Sequence, residues 1–101
     1  MDVQTFEDPA RTIRVAPGAY FSVRLQGNPS TGHVWHEQSD ERYLESVAQT
    51  FEPDDAVPGA AGHELCSYRA LKRGRTEITF EYRRPWEDRV RDSRRFCVVI
   101  E

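Results

Sequence analysis

Alternation of apolar and polar residues, with almost no helical periodicity, is the feature that most constrains how this chain folds. In "YFSVRLQ", Phe21, Val23 and Leu25 share one parity, and the residues between them are polar. Successive side chains of a β-strand point to opposite faces, so this pattern predicts a strand with one buried face. Two further segments, "TEITFEY" and "RFCVVIE", alternate in the same way, with the apolar parities Ile78, Phe80 and Tyr82, and Phe96, Val98 and Ile100.

Four other segments predict shorter or less regular strands. "RTIRVAP" stops at a Pro-Gly turn signal, and "HVWHE" places Trp35 on the face opposite to its two neighbours. In "LCSYRAL", the more apolar parity consists of Cys66, Tyr68 and Ala70. "YLESVAQTF" has no clear alternation, and we predict a strand only near its end.

The number and spacing of these segments predict the fold class. About seven short strands, separated by Pro, Gly and Asn, indicate an all-β, immunoglobulin-like antiparallel β-sandwich with Trp35 as the largest core residue. A chain of 101 residues, 38% hydrophobic with 11% aromatic residues, is typical of a globular protein. We therefore expect residues 1–101 to form a single domain, which we expect to be monomeric.

Charge and hydropathy narrow the possible partners. The net charge of −3 does not suggest a general polyanion binder, so we expect no nucleic-acid partner. No segment approaches the roughly 18 apolar residues of a membrane-spanning helix, so we expect no membrane partner. No apolar signal region follows Met1, and the chain as given predicts no export signal. Cytoplasmic location and export after processing both stay open.

Cysteine and histidine residues give no indication of catalysis or metal binding. His33, His36 and His63 match no metal-ligand spacing. Cys66 and Cys97 each lie in a strand-like run, where a thiol lacks the exposed, electropositive setting that a nucleophile needs. We predict surface histidines and two free, packed thiols in a protein that is not an enzyme and needs no cofactor or metal.

Three loops rich in small residues, Pro and Gly stand out between the predicted strands. They are "NPSTG" at residues 28–32, "PGAAG" at 58–62 and "RRPWEDRVRDS" at 83–93. In an immunoglobulin-like sandwich these are the BC, DE and FG loops, which emerge at the same end. Taken singly, the first two are ordinary turn chemistry. Trp86 beside a Pro in a polar loop has two open interpretations: an exposed binding anchor or a residue folded back onto the core.

Taken together and in this order, the three loops resemble the motifs of the chagasin family of cysteine protease inhibitors. That family has Asn-Pro-Thr-Thr-Gly followed closely by an aromatic residue and Trp, then Gly-x-Gly-Gly, then Arg-Pro-Trp. The resemblance extends from about Tyr20 to the C-terminus and is most specific at the first and third motifs. Two residues depart from the pattern: Ser30 replaces a Thr, and Ala61 replaces a Gly.

The resemblance implies a reversible, non-covalent, competitive inhibitor of papain-like cysteine proteases such as papain or a cathepsin-L-like enzyme. Its three loops would form a wedge in the active-site cleft, with Trp86 packed on an aromatic wall of the enzyme. The implied contact residues are Asn28, Pro29, Ser30, Thr31 and Gly32 in the centre, Gly59, Ala60, Ala61 and Gly62 on one flank, and Arg84, Pro85 and Trp86 on the other. The alternative is an immunoglobulin-like adhesion or ligand-binding module that uses Trp86 and Arg84 on a sugar or peptide.

The inhibitor hypothesis gives a physical reason for a rigid, small and polar first loop. An inhibitor must fill the cleft without presenting a cleavable bond in attack geometry. Pro29 restricts its own φ and the preceding residue, and Gly32 lets the chain turn back. A loop that is already rigid loses little entropy on binding. At Ala61 we predict a negative φ, because a sequence that has accepted Ala needs no left-handed backbone there.

Overall fold

The computed structural model describes residues 3–55 and 60–101, in which strands predominate and no α-helix occurs. A single turn of 3-10 helix, Pro29–Thr31, connects the third and fourth strands. The eight strands of the described residues are β1 (Gln4–Phe6), β2 (Ile13–Val15), β3 (Tyr20–Gly27), β4 (Val34–Ser39), β5 (Leu44–Pro53), β6 (Gly62–Ala70), β7 (Gly74–Arg83) and β8 (Asp92–Ile100).

Two four-stranded sheets form a sandwich, which confirms the predicted fold class. One sheet has the strand order β1-β3-β6-β5 and the other β2-β8-β7-β4. Pairing is antiparallel within each sheet except at one edge of each. In the first sheet β1 lies parallel to β3, and in the second β2 lies parallel to β8. Neither β1 nor these parallel pairs were predicted, because β1 contains a single apolar residue and a sequence pattern does not show which strands pair.

The core forms where the predicted apolar parities of the two sheets meet. Trp35 is 5% exposed and belongs to the core, as predicted. Its indole N–H donates a hydrogen bond of 3.1 Å to the carbonyl of Gln26, so its polar atom is satisfied. The fully buried side chains include Ile13, Phe21, Val23, Leu44, Tyr68, Ile78, Phe80, Phe96, Val98 and Ile100.

Strand β5 is longer than the sequence predicted and differs from the other long strands in its burial. It extends over ten residues, Leu44–Pro53, rather than only near the end of "YLESVAQTF". Every residue after Leu44 is exposed, and the pairing with β6 shifts between Ser46 and Ala48. An edge strand without a buried face has no reason to alternate, which explains why periodicity did not show it.

The structure corrects the prediction for one of the two cysteines. Both thiols are free, as predicted, but only Cys66 is buried. Burial, with a smaller effect of nearby Glu64, raises the pKa of the Cys66 thiol to about 12. Cys97 is exposed because its neighbours Phe96 and Val98 point into the core, so the residue between them faces solvent.

The prediction of surface histidines also needs correction, because His33 is only 7% exposed. Its ring stacks on that of Tyr82, with centroids 5.2 Å apart, at the end of the core. His36 and His63 are half-buried. Among the described residues, no group of His, Cys, Asp and Glu could hold a metal ion, and no helix is long and apolar enough to cross a membrane.

Candidate functional site

The three motif-bearing loops meet at one end of the sandwich. Strand register shows this, because Gly27 at the end of β3 pairs with Gly62 at the start of β6. In the other sheet, Val34 at the start of β4 pairs with Arg83 at the end of β7. Below, the NPSTG loop is residues 28–32, the GAAG loop is residues 59–62, and the RPW loop is residues 84–91.

Hydrogen bonds within the NPSTG loop fold it into a compact turn. The side-chain oxygen of Asn28 accepts from the Ser30 N–H at 3.1 Å and from the Ser30 hydroxyl at 2.6 Å. The Asn28 carbonyl accepts from the Thr31 hydroxyl at 2.9 Å and from the Thr31 N–H at 3.3 Å. These bonds are typical of Asn, Ser and Thr in turns. The loop is therefore held in shape by its own side chains.

Tyr82 in β7 anchors the start of the NPSTG loop to the sandwich through hydrogen bonds. Its hydroxyl accepts from the Asn28 N–H at 3.0 Å and donates to the Asn28 carbonyl at 3.3 Å. Its ring lies between His33 and Trp35, with centroids 5.2 and 4.8 Å away. A rigid core aromatic thus holds both backbone groups of the first loop residue.

Arg84 fastens the other side of the same loop to the RPW loop. Its Nε–H donates to the Thr31 carbonyl at 3.0 Å, and one of its terminal nitrogens lies 3.2 Å from a carboxylate oxygen of Glu87. Arg83 donates to the Glu87 carbonyl at 3.3 Å. The two loops therefore form one hydrogen-bonded unit rather than two independent segments.

Trp86 projects from this unit into solvent. It is 73% exposed, the largest value among the exposed large apolar residues. One edge of its ring passes close to Gly32, where a Cβ would lie 3.1 Å from Trp86 Cη2. Gly32 also has a φ of 78°, in the left-handed region that favours glycine. Of the two interpretations left open, the exposed anchor fits this geometry and the core residue does not.

The GAAG loop is described only in part. Gly59 and Pro58 lie outside the described residues, and Gly62 is the first residue of β6 rather than part of a loop. The Asp54 N–H donates to the Ala61 carbonyl at 3.0 Å and closes the stem. Ala61 is exposed, and it lines a cleft of about 580 Å³ together with Asn28.

The backbone conformation of this stem tests the prediction of a negative φ at Ala61. No described residue other than glycine has a positive φ, so the predicted negative φ at Ala61 is confirmed. Gly62 is required for a different reason, because a Cβ there would lie 2.2 Å from the Glu52 carbonyl oxygen. The close approach of β5 to β6 therefore demands glycine at this position, whatever binds the loop.

The structure thus brings together most of the predicted site residues and adds two that the sequence analysis missed. The loop termini shift slightly, since Arg83 belongs to β7, and 92–93 belong to β8. The additions are Tyr82, seen before only as a core residue of "TEITFEY", and His33, seen only as a surface residue. The role of each residue depends on contacts between segments about 50 residues apart in the chain. A local sequence pattern does not show such contacts.

Comparisons with known proteins show what the chain is similar to in sequence and fold. The family model described as "Chagasin family peptidase inhibitor I42" matches residues 14–100. Chagasin from Trypanosoma cruzi is 30% identical over 96 residues, covering 89% of this chain and 87% of chagasin.

Solved structures share the fold. EhICP2, a cysteine protease inhibitor from Entamoeba histolytica, superposes with a TM-score of 0.79 at 22% identity, covering 98% of this chain and 96% of EhICP2. PbICP-C, in its complex with falcipain-2, gives a TM-score of 0.56 at 16% identity, covering 98% of this chain and 88% of PbICP-C.

Proposed function

The chain belongs to the chagasin family of peptidase inhibitors, and we propose that it inhibits papain-like cysteine proteases by placing its three loops in their active-site cleft. Inhibition is reversible, competitive and non-covalent, and the protein is not itself an enzyme. Residues 1–101 act as a single inhibitor domain. Family membership favours this function over an immunoglobulin-like adhesion module.

The observation that carries the proposal is the pre-formed surface at one end of the sandwich. The NPSTG loop is bonded internally, to Tyr82 below it and to Arg84 beside it. Because little freedom of the loop remains to be lost, binding costs less ordering entropy than it would for a flexible loop. An exposed Trp beside such a loop is typical of a binding hot spot.

The proposed roles follow from position. Residues 28–32 form the centre of the wedge and lie over the catalytic cysteine and histidine of the enzyme. Residues 59–62 form one flank, where Ala60 and Ala61 offer contact surface and Gly62 keeps the stem tight. Pro85 and Trp86 form the other flank, with Trp86 on an apolar wall of the enzyme and Arg84 holding the flank to the centre.

The loop also has a chemical reason to resist cleavage. A papain-like enzyme attacks a carbonyl whose oxygen sits among preorganised donors. The carbonyl oxygens of Asn28 and Thr31 already accept hydrogen bonds from Tyr82, Thr31 and Arg84 within the inhibitor. Presenting the Asn28 carbonyl to the enzyme would break contacts that hold the loop together.

An inhibition assay tests the proposal directly. Papain and a cathepsin-L-like protease are titrated with the protein at several substrate concentrations. We expect competitive inhibition, in which the apparent KM rises and kcat does not change. A protein that leaves both enzymes fully active at micromolar concentration contradicts the proposal.

A further inference from the structure

A small notch between the end of the NPSTG loop and the RPW loop is not explained by the wedge itself. It has a volume of about 300 Å³ and is lined by His33, Arg84, Glu87, Arg89, Val90 and Arg91. It lies on the Trp86 side of the binding end, since Trp86 belongs to the same loop and contacts Gly32, the residue before His33. A partner surface that contacts Trp86 would therefore also lie next to the notch.

His33 supplies a buried polar group with an unused nitrogen in this notch. The Thr31 hydroxyl donates its only proton to the Asn28 carbonyl, so it accepts from His33 Nδ1–H, 2.9 Å away. That leaves Nε2 of His33, which makes no hydrogen bond with any described residue. His33 is 7% exposed and lines the notch, so a partner for its Nε2 would come from outside the described residues.

The charges around the notch are mainly positive. Glu87 is paired with Arg84 at 3.2 Å. Arg89 and Arg91 are exposed, and within the described part of the chain neither side chain has an acidic partner. Asp92 is engaged by Arg94, and Asp88 is exposed outside the lining. An acidic group entering the notch therefore meets two unpaired guanidinium groups, which bind carboxylates well.

We propose that this notch receives an Asp or Glu side chain of the target protease, beside the wall contacted by Trp86. The inference rests on the proposed function, because it assigns a specificity-determining contact to the same binding end. Arg89 and Arg91 supply the charge that binds the carboxylate, and His33 lines the same notch. The protein thus favours papain-like proteases that carry an acidic residue next to that wall.

The first experiment removes the positive charge of the notch. Arg89→Gln with Arg91→Gln is compared with a matched control, Arg73→Gln with Arg75→Gln, two exposed arginines at the opposite end of β7. Inhibition constants are measured from 50 to 300 mM NaCl with papain or the cathepsin-L-like protease, whichever the wild type inhibits more tightly. We expect the notch variant to be at least tenfold weaker at low salt, with a flatter salt dependence, and the control to stay within twofold of wild type.

The outcomes separate the two hypotheses. A notch variant that matches the control in affinity and salt dependence overturns the notch, while competitive inhibition by wild type still supports the wedge. A wild type that inhibits neither enzyme overturns both. A double-mutant cycle locates the partner: one acidic residue of the enzyme, changed to its amide, must show at least fivefold coupling with Arg91→Gln. If no acidic residue near the cleft couples, the proposal fails.

Discussion

At the scale of single residues, two neighbouring positions in the stem of the GAAG loop show why glycine is needed at one and not at the other. Ala61 has an ordinary backbone conformation and an exposed side chain. Gly62 also has an ordinary φ, but it faces the backbone of Glu52 and Pro53 with no room for a Cβ. Space between strands, rather than a special φ, keeps glycine at residue 62.

The two positions give a matched pair of substitutions. Ala61→Gly should lower the free energy of unfolding by about 0.5–1 kcal/mol, because glycine adds entropy to the unfolded chain and relieves no strain. Gly62→Ala should cost more, about 1–3 kcal/mol, because β5 and β6 must move apart. Urea denaturation checks both values. A rise in stability for Ala61→Gly would show that its backbone is strained after all.

The cysteines allow a second test at this scale. Only the thiolate reacts with alkylating reagents and disulfides, and the Cys66 thiol, with a pKa raised to about 12 by burial, is almost fully protonated at pH 8. One thiol of the native protein, Cys97, should therefore react with an aromatic disulfide at pH 8 within minutes. The second should react only in denaturant, and Cys97→Ser should leave no fast thiol. Two fast thiols, or none in a monomer, would contradict the structure.

At the scale of elements, the RPW loop combines a fixed base with an exposed tip. The Glu87 N–H donates to the Arg84 carbonyl at 3.1 Å, and the Arg91 N–H donates to the Tyr82 carbonyl at 2.8 Å, so both ends of the loop are tied down. Trp86 lies between these ties, is 73% exposed and passes close to Gly32. Its loss should therefore affect binding far more than folding.

Trp86→Ala measures this separation. We expect binding to the protease to weaken by on the order of 2 kcal/mol or more, roughly thirtyfold, because a large apolar anchor is removed. The free energy of unfolding should change by less than about 0.5 kcal/mol, as for other exposed residues. Tyr20→Ala, an exposed aromatic at the opposite end of β3, is the control for binding and should have no effect. Normal binding with a large loss of stability would make Trp86 a structural residue.

Strands β4 and β5 are the free edges of their sheets on the side away from β1 and β2. Glu37 has the parity of buried Trp35, so it points inward from the β4 edge, and the burial of Tyr68 together with this carboxylate raises the pKa of the Tyr68 phenol. An inward charge and the irregular pairing of β5 at Ser46 and Ala48 both discourage edge-to-edge association. These devices favour the expected monomer.

At the scale of the whole molecule, the sandwich acts as a rigid support for one specialised end. The largest buried side chains come from both sheets, and the aromatic series Trp35, Tyr82 and His33 extends from that core to the loops. Stability and binding are thereby linked through a few aromatic contacts. The loops keep their shape because the core keeps its shape.

A rigid, non-covalent wedge should need no chemistry from its target. The protein should therefore bind a papain-like protease whose catalytic cysteine carries a small blocking group, with some loss of affinity from the added atoms. Calorimetry measures this binding. After long incubation with active enzyme, mass spectrometry should find the inhibitor at its intact mass. Stoichiometric cleavage within residues 28–32 would show instead that the loop is a substrate.

What the sequence by itself determined is local. Strand faces follow from a two-residue period, so the inward positions of Phe21, Ile78 and Phe96 were predictable. The prediction of a packed Cys97 was wrong, because the same period places it on the outward face between Phe96 and Val98. The order of turn-forming motifs was enough to indicate a sandwich with three loops at one end and to suggest the family. Such features depend only on residues close together in the chain.

Only the tertiary structure decided what depends on distant segments. Which strands lie side by side sets three features: the parallel pairing of β1 with β3 and of β2 with β8, the full length of β5, and the lack of space for a Cβ at Gly62. His33 is buried against Tyr82, and Tyr82 and Arg84 hydrogen-bond to the NPSTG loop. These contacts join residues about 50 positions apart in the chain. No local pattern encodes these contacts, because each joins segments that are distant in the chain and adjacent only in the folded sandwich.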